Sequence, residues 1–105
     1  MAVSDAFHAA LKARNGRAAC AELNRNTAAT LELEAQRPCP QAVLELDLSA
    51  GARASAAEVY MTSGYADLPG ADVAFLDDGP DGWKVSAAGC SPGPPGHPYD
   101  CKLGG

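Results

Sequence analysis

Four cysteines, at positions 20, 39, 90 and 101, constrain this chain more than any other feature. Their number is even and no two form a C-x-x-C pair, which argues against a zinc ribbon or a thioredoxin-type redox site and for disulfides. Four cysteines permit three pairings. Sequential pairing, Cys20–Cys39 and Cys90–Cys101, is favoured because each pair then brackets a segment that reads as self-contained. In chain-entropy terms a crosslink closing a loop of this size contributes about 3 kcal/mol. The alternative is four buried free thiols in a cytosolic protein. The compartment rule favours the oxidised reading and an extracytoplasmic location, either secreted or lipid-anchored at the cell envelope.

The apolar content shows why crosslinks are needed. The 105 residues suffice for one domain with one core. By the broad count 47% are hydrophobic, but much of that is alanine, and the large aromatics are one Trp, two Phe and three Tyr. Each fully buried large side chain contributes only about 1.5–3 kcal/mol, so a core of this composition is thin. The net charge is −5 and the eight basic residues are scattered, which gives no footprint for a phosphate backbone and excludes nucleic acid as the expected partner. No stretch has the length of a transmembrane segment. The start, Met1-Ala2-Val3-Ser4-Asp5, has neither the basic nor the apolar region of a leader. An exported protein with this sequence has therefore had its leader removed, with Met1 as an expression start.

Local patterns divide the chain in two. Ser4 caps an expected first helix to about Arg14, with Phe7, Ala10 and Leu11 at helical spacing and Asn15-Gly16 as the stop. A short helix over Ala18 to Leu23 follows, and then one capped by Asn24 or Asn26 with a stripe of Ala28, Leu31 and Ala35. Pro38-Cys39-Pro40 interrupts, and Pro40 opens a fourth helix with Val43, Leu44 and Leu46 as its apolar positions. Beyond Gly51 the period shortens to about two. Strands are expected over Glu58 to Thr62, Tyr65 to Leu68, Asp72 to Leu76 and Trp83 to Ala87, with turns at Ser63-Gly64, Pro69-Gly70 and Gly79-Pro80-Asp81-Gly82. In the last strand Trp83, Val85 and Ala87 are expected to face inward. The expected fold is α+β: three to four N-terminal helices packed on a roughly four-stranded antiparallel meander, in a single domain 1–105. Within it, residues 1–50 are helical, 51–89 form the sheet, and 90–105 are a Pro/Gly-rich tail. Proline lacks the donor for a ladder, so the tail reads as an extended loop closed by its own disulfide.

These residues carry a resemblance. Helices followed by a meander that ends in Asp81-Gly82-Trp83-Lys84-Val85 resemble the cone-shaped NTF2-like (cystatin-like) α+β fold, in a short version. Cys20…Leu23, Pro38-Cys39-Pro40…Ala42, Val73-Ala74-Phe75-Leu76, the run Asp81 to Cys90 and Pro98-Tyr99-Asp100-Cys101 together resemble small actinobacterial secreted proteins or lipoproteins of unknown function. The likeness spans nearly the whole chain, and its motifs are structural rather than catalytic. It implies an extracytoplasmic α+β domain, in a superfamily that also hosts isomerases and dehydratases.

Candidate chemistry is sparse. Asp77-Asp78 suit a general base by analogy with ketosteroid-isomerase relatives, but solvated turn aspartates are the simpler reading. Tyr60, Tyr65 and Asp67 are the candidate ligand-binding residues, as the polar lining of a pocket between helices and sheet; half-buried sheet tyrosines are the plainer account. His8 is expected to face solvent or the helix flank. It and His97 lack metal-ligand spacing, so no metal and no cofactor are expected. There is no G-x-S-x-G, glycine-rich phosphate cradle or H-E-x-x-H, and no catalytic residue is assigned. In the Pro92–Tyr99 loop, His97 and Tyr99 are candidate partner-binding residues, against a rigid staple as the plainer reading. The function expected is therefore a non-catalytic, extracytoplasmic, disulfide-stabilised domain mediating protein binding or envelope assembly. The alternative is a small-molecule-binding or isomerase-like enzyme, for a small apolar ligand. The sequence does not specify an oligomeric state.

Overall fold

A computed structural model describes residues 2–46, 48, 56–68, 73–80, 82–92 and 99–104. Four helices precede five strands: α1 (Ala2–Lys12), α2 (Gly16–Ala21), α3 (Arg25–Ala35), α4 (Cys39–Glu45), β1 (Ala56–Tyr60), β2 (Ser63–Asp67), β3 (Val73–Gly79), β4 (Gly82–Pro92) and β5 (Tyr99–Gly104). The sheet is antiparallel throughout, in the order β1-β2-β3-β4-β5. The helices pack over its β4–β5 side.

Helix α1 begins before its expected cap. Ser4 lies inside the helix, fully buried, and its Oγ has no hydrogen-bond partner among the described residues. One turn on, His8 is also fully buried, not at the solvent or flank where it was expected. The reason is spacing. Positions 4, 8 and 11 recur at i, i+4, i+7, so His8 shares the face of Ser4 and Leu11 beside that of Phe7. Its Nδ1 lies 2.7 Å from the Ser4 carbonyl oxygen, which can only accept, so this nitrogen carries the proton. The ring meets Phe7 edge-on at 5.1 Å between centroids.

The structure contains two disulfides, Cys20–Cys39 and Cys90–Cys101. The first joins α2 to the first residue of α4. Gly16 opens α2 directly against Pro40, and a Cβ there would stand 2.1 Å from the Pro40 carbonyl oxygen. Phe7, Leu11, Ala19, Leu31, Cys39 and Val43 from the helices and Leu23 between α2 and α3 meet Ala66, Leu76, Val85, Ala88 and Leu103 of the sheet in the main core. Val73, Ala87 and Cys90, with Tyr65, Phe75 and Cys101 beside them, form a second, smaller cluster.

Three departures from the expected sheet have local causes. The first turn is Met61–Thr62, with Met61 at φ 53°, rather than Ser63-Gly64. Gly64 serves inside β2 instead, because a Cβ there would come within 3.0 Å of the Glu58 carbonyl oxygen. Next, Val85 and Ala87 do not share a face. The register moves from Phe75↔Ala87 to Leu76↔Val85, so Ser86 is an extra residue and Val85 joins the main core while Ala87 joins the second cluster. Finally, the sheet has five strands, not four. Tyr99–Gly104 contains no proline and is free to donate, so it pairs with β4, and Cys90 lies directly opposite Cys101. The segment 93–98 between them lies outside the described residues.

β5 pairs with β4 over Ala87–Pro92 and leaves the start of β4 open on that side. The α2–α3 connection occupies it. The Val85 amide donates to Glu22 O (2.7 Å) and the Asn24 amide donates to Val85 O (2.8 Å), a parallel bridge centred on Leu23 and Val85. Thr27, in the first turn of α3, donates its hydroxyl to Ser86 O at 2.9 Å. Thr27→Val keeps the shape and removes that donor, so thermal unfolding should show a loss of about 1 kcal/mol. An unchanged midpoint would mean that the bond contributes nothing to docking α3.

Candidate functional site

Two clefts and one sheet edge offer themselves. The first is a cleft of about 250 Å³ between the start of α3 and the β3–β4 end of the sheet. Asn24, Arg25 and Asn26 line one wall, and Asp77, Pro80 and Lys84 line the other. The wall residues are placed by caps and register. The Asn24 side chain caps α3 by accepting from the Asn26 amide at 2.9 Å, and Asp77 stands opposite Lys84 across β3 and β4. The Lys84 ammonium donates to Ala21 O at 2.9 Å, satisfying a carbonyl at the C-terminal end of α2. A second, smaller cleft of about 160 Å³ lies between Leu11 of α1 with Arg14 just beyond it and Val43, Leu44, Leu46 and Leu48.

The other surface is the β1 edge. β1 pairs with β2 in unbroken register from Ala56↔Asp67 to Tyr60↔Ser63, and among the described residues nothing pairs with its other side. Ala56, Ala57, Glu58 and Val59 are all exposed; Val59 retains 52% of its surface and Met61, in the turn, 96%. These are two of the exposed large hydrophobic side chains in the protein. The Tyr65 hydroxyl donates to Glu58 Oε2 at 2.9 Å, which fixes the carboxylate against the sheet face.

The candidate ligand-binding residues are therefore only partly brought together. Tyr65 and Asp67 are half-buried and two apart on β2, on the opposite face from Ala66, which enters the helix-covered core. They do not point between helices and sheet, and neither of the two clefts includes them. Tyr60 closes the β1–β2 pairing opposite Ser63, and its side chain lies outside the described residues. His97 lies outside them as well, and the Tyr99 backbone pairs with Pro92 while its side chain is not described. Asp77 lines the first cleft, and the exposed Asp78 donates its amide to Thr62 O at 2.7 Å.

In the sequence Val59 and Met61 fall inside the expected strand Glu58 to Thr62, and no positive feature there marks them as a surface. The signal that marks them is negative: Ala56–Tyr60 holds no proline, lysine or arginine, the usual guards of a sheet edge. Compared with family models, with curated proteins and with solved structures, the chain matches none. No helix among the described residues is long and apolar enough to cross a membrane.

Proposed function

We propose that this chain is a non-catalytic, extracytoplasmic domain that binds a protein partner or holds together an envelope assembly. The observation that carries the reading is the exposed apolar pair Val59 and Met61 beside a sheet edge that no described residue occupies. Such an edge is a ready template for another chain. Two disulfides support an oxidising compartment, secreted or at the envelope. The helix-before-meander order and the irregular β4 support kinship with a short NTF2-like (cystatin-like) fold of the kind found in actinobacterial secreted proteins and lipoproteins.

The experiment is capture from the extracytoplasmic proteins of the source. Immobilised oxidised domain should retain a specific protein that free oxidised domain competes away, while reduced and alkylated domain should not retain it. Retention of nothing that free domain displaces would reject the reading.

The 250 Å³ cleft favours a second reading, a small-molecule-binding or isomerase-like domain. Its size approaches that of ligand pockets, which start at about 300 Å³. A fragment screen by NMR tests it. Amide shifts confined to Asn24–Asn26 and Asp77–Lys84 would support it, and shifts spread over the surface would not.

A further inference from the structure

The charges of the chain are segregated along its length. Between Arg53 and Lys84 there are six acidic residues and not one lysine or arginine. Of its described members, Glu58, Asp67 and Asp77 fall on one face of the sheet by register, and Asp78, next to Asp77 on β3, falls on the other. Glu58 is in the middle of β1; Asp67 stands opposite Ala56 at one end; Asp77 stands opposite Ser63 at the other, and Asp78 bonds through its amide to Thr62. Lysine and arginine fall in the helical first part of the chain, at position 53, and in β4 and β5.

The two edges of the sheet also differ. β5 carries the exposed Lys102 and is packed by α3. β1 carries no cation, no proline and no bulge, and its only charge is negative. A strand with these properties accepts a neighbour in continuous register. Side chains of an added strand alternate between the two faces. On one face they meet Glu58, whose carboxylate is held by Tyr65; on the other they meet Ala57 and Val59.

We infer that the β1 edge is a strand-addition site for an extended, basic segment of a partner protein, with lysine or arginine alternating with aliphatic residues. This rests on the protein-binding reading above and names its surface and partner class. Basic residues on one face of the added strand meet Glu58, with Asp67 on the same sheet face one strand further in, and aliphatic residues on the other cover Val59. A second copy of this chain is a poorer occupant. Two β1 strands bring two glutamates and no cation together, and like charges across a strand pair are destabilising.

The probe is a fluorescein-labelled octapeptide of alternating lysine and valine, titrated with the oxidised full chain by anisotropy. Its controls are the glutamate–valine alternate and a peptide with the same lysines and valines in two blocks. The basic alternate should bind about tenfold tighter than either control and weaken as salt is raised. Its binding should slow amide hydrogen exchange in Ala56–Met61. Glu58→Lys should weaken it about tenfold, and Asp100→Lys, on the far edge, should leave it unchanged. Both positions are exposed, and thermal midpoints near that of the parent certify the fold. Equal binding of all three peptides, protection that avoids β1, or self-association that protects β1 without peptide would each overturn the inference. A natural partner captured equally by the Glu58→Lys protein would overturn it while leaving the binding reading standing. Absence of any capture would defeat both.

Discussion

Replacing Gly16 with alanine should cost about 3 kcal/mol, the upper end of ordinary overpacking, and lower the thermal midpoint by roughly 15 °C. The added Cβ would stand 2.1 Å from Pro40 O, 2.7 Å from Pro40 C and 2.8 Å from Pro40 Cα. All three are backbone atoms, so no side chain can rotate aside. Pro40 follows Cys39, which is tied to Cys20 on the same helix as Gly16, so α2 cannot slide away from α4. The clash must be absorbed by the core beneath, where Ala19, Cys39 and Val43 are buried. Differential scanning calorimetry on the oxidised variant measures this. A shift of only a degree or two would show that the approach of α2 to α4 is looser than described.

The second large effect is loss of the Cys20–Cys39 bond. With both cysteines replaced by alanine, about 3 kcal/mol should disappear, from the loop-closure entropy of a 19-residue separation. Total stability for a domain of this size is about 5–15 kcal/mol, and this core is rich in alanine, so the fraction lost is large. Urea unfolding should show a lower midpoint. The two changes should also be coupled. In the protein lacking this disulfide, Gly16→Ala should cost clearly less, because α2 can then move off Pro40. Full additivity would mean that the disulfide does not hold the two helices in register.

The α+β class, the helix-first order and the formation of disulfides were legible because each rests on local chemistry: helical spacing, turn dipeptides, and an even cysteine count outside any C-x-x-C pair. What was missed depended on the tertiary partner. His8 reads as a polar helix residue until Ser4 accepts its Nδ1–H across one turn inside the core. Gly64 reads as a turn, yet it is needed where the Glu58 carbonyl and Trp83 close in on β2. The fifth strand was hidden by prolines that restrict only their own positions, leaving Tyr99–Gly104 able to pair. The candidate site was least legible. Tyr65 and Asp67 were rightly read as sheet residues, but which face they occupy is set by Ala66 entering the core between them. An open edge depends on which strand is last in the sheet, and sequence periodicity does not report that.

The most direct test of a working surface on β1 is amide hydrogen exchange, residue by residue, in the free oxidised protein. In an edge strand alternate amides point away from the sheet and lack a ladder partner. Along Ala56–Tyr60 every second amide should therefore exchange rapidly, while its neighbours, bonded to β2, and the amides of β3 exchange slowly. Uniform protection along Ala56–Tyr60, equal to that of β3, would show that the edge is already occupied and would contradict the account.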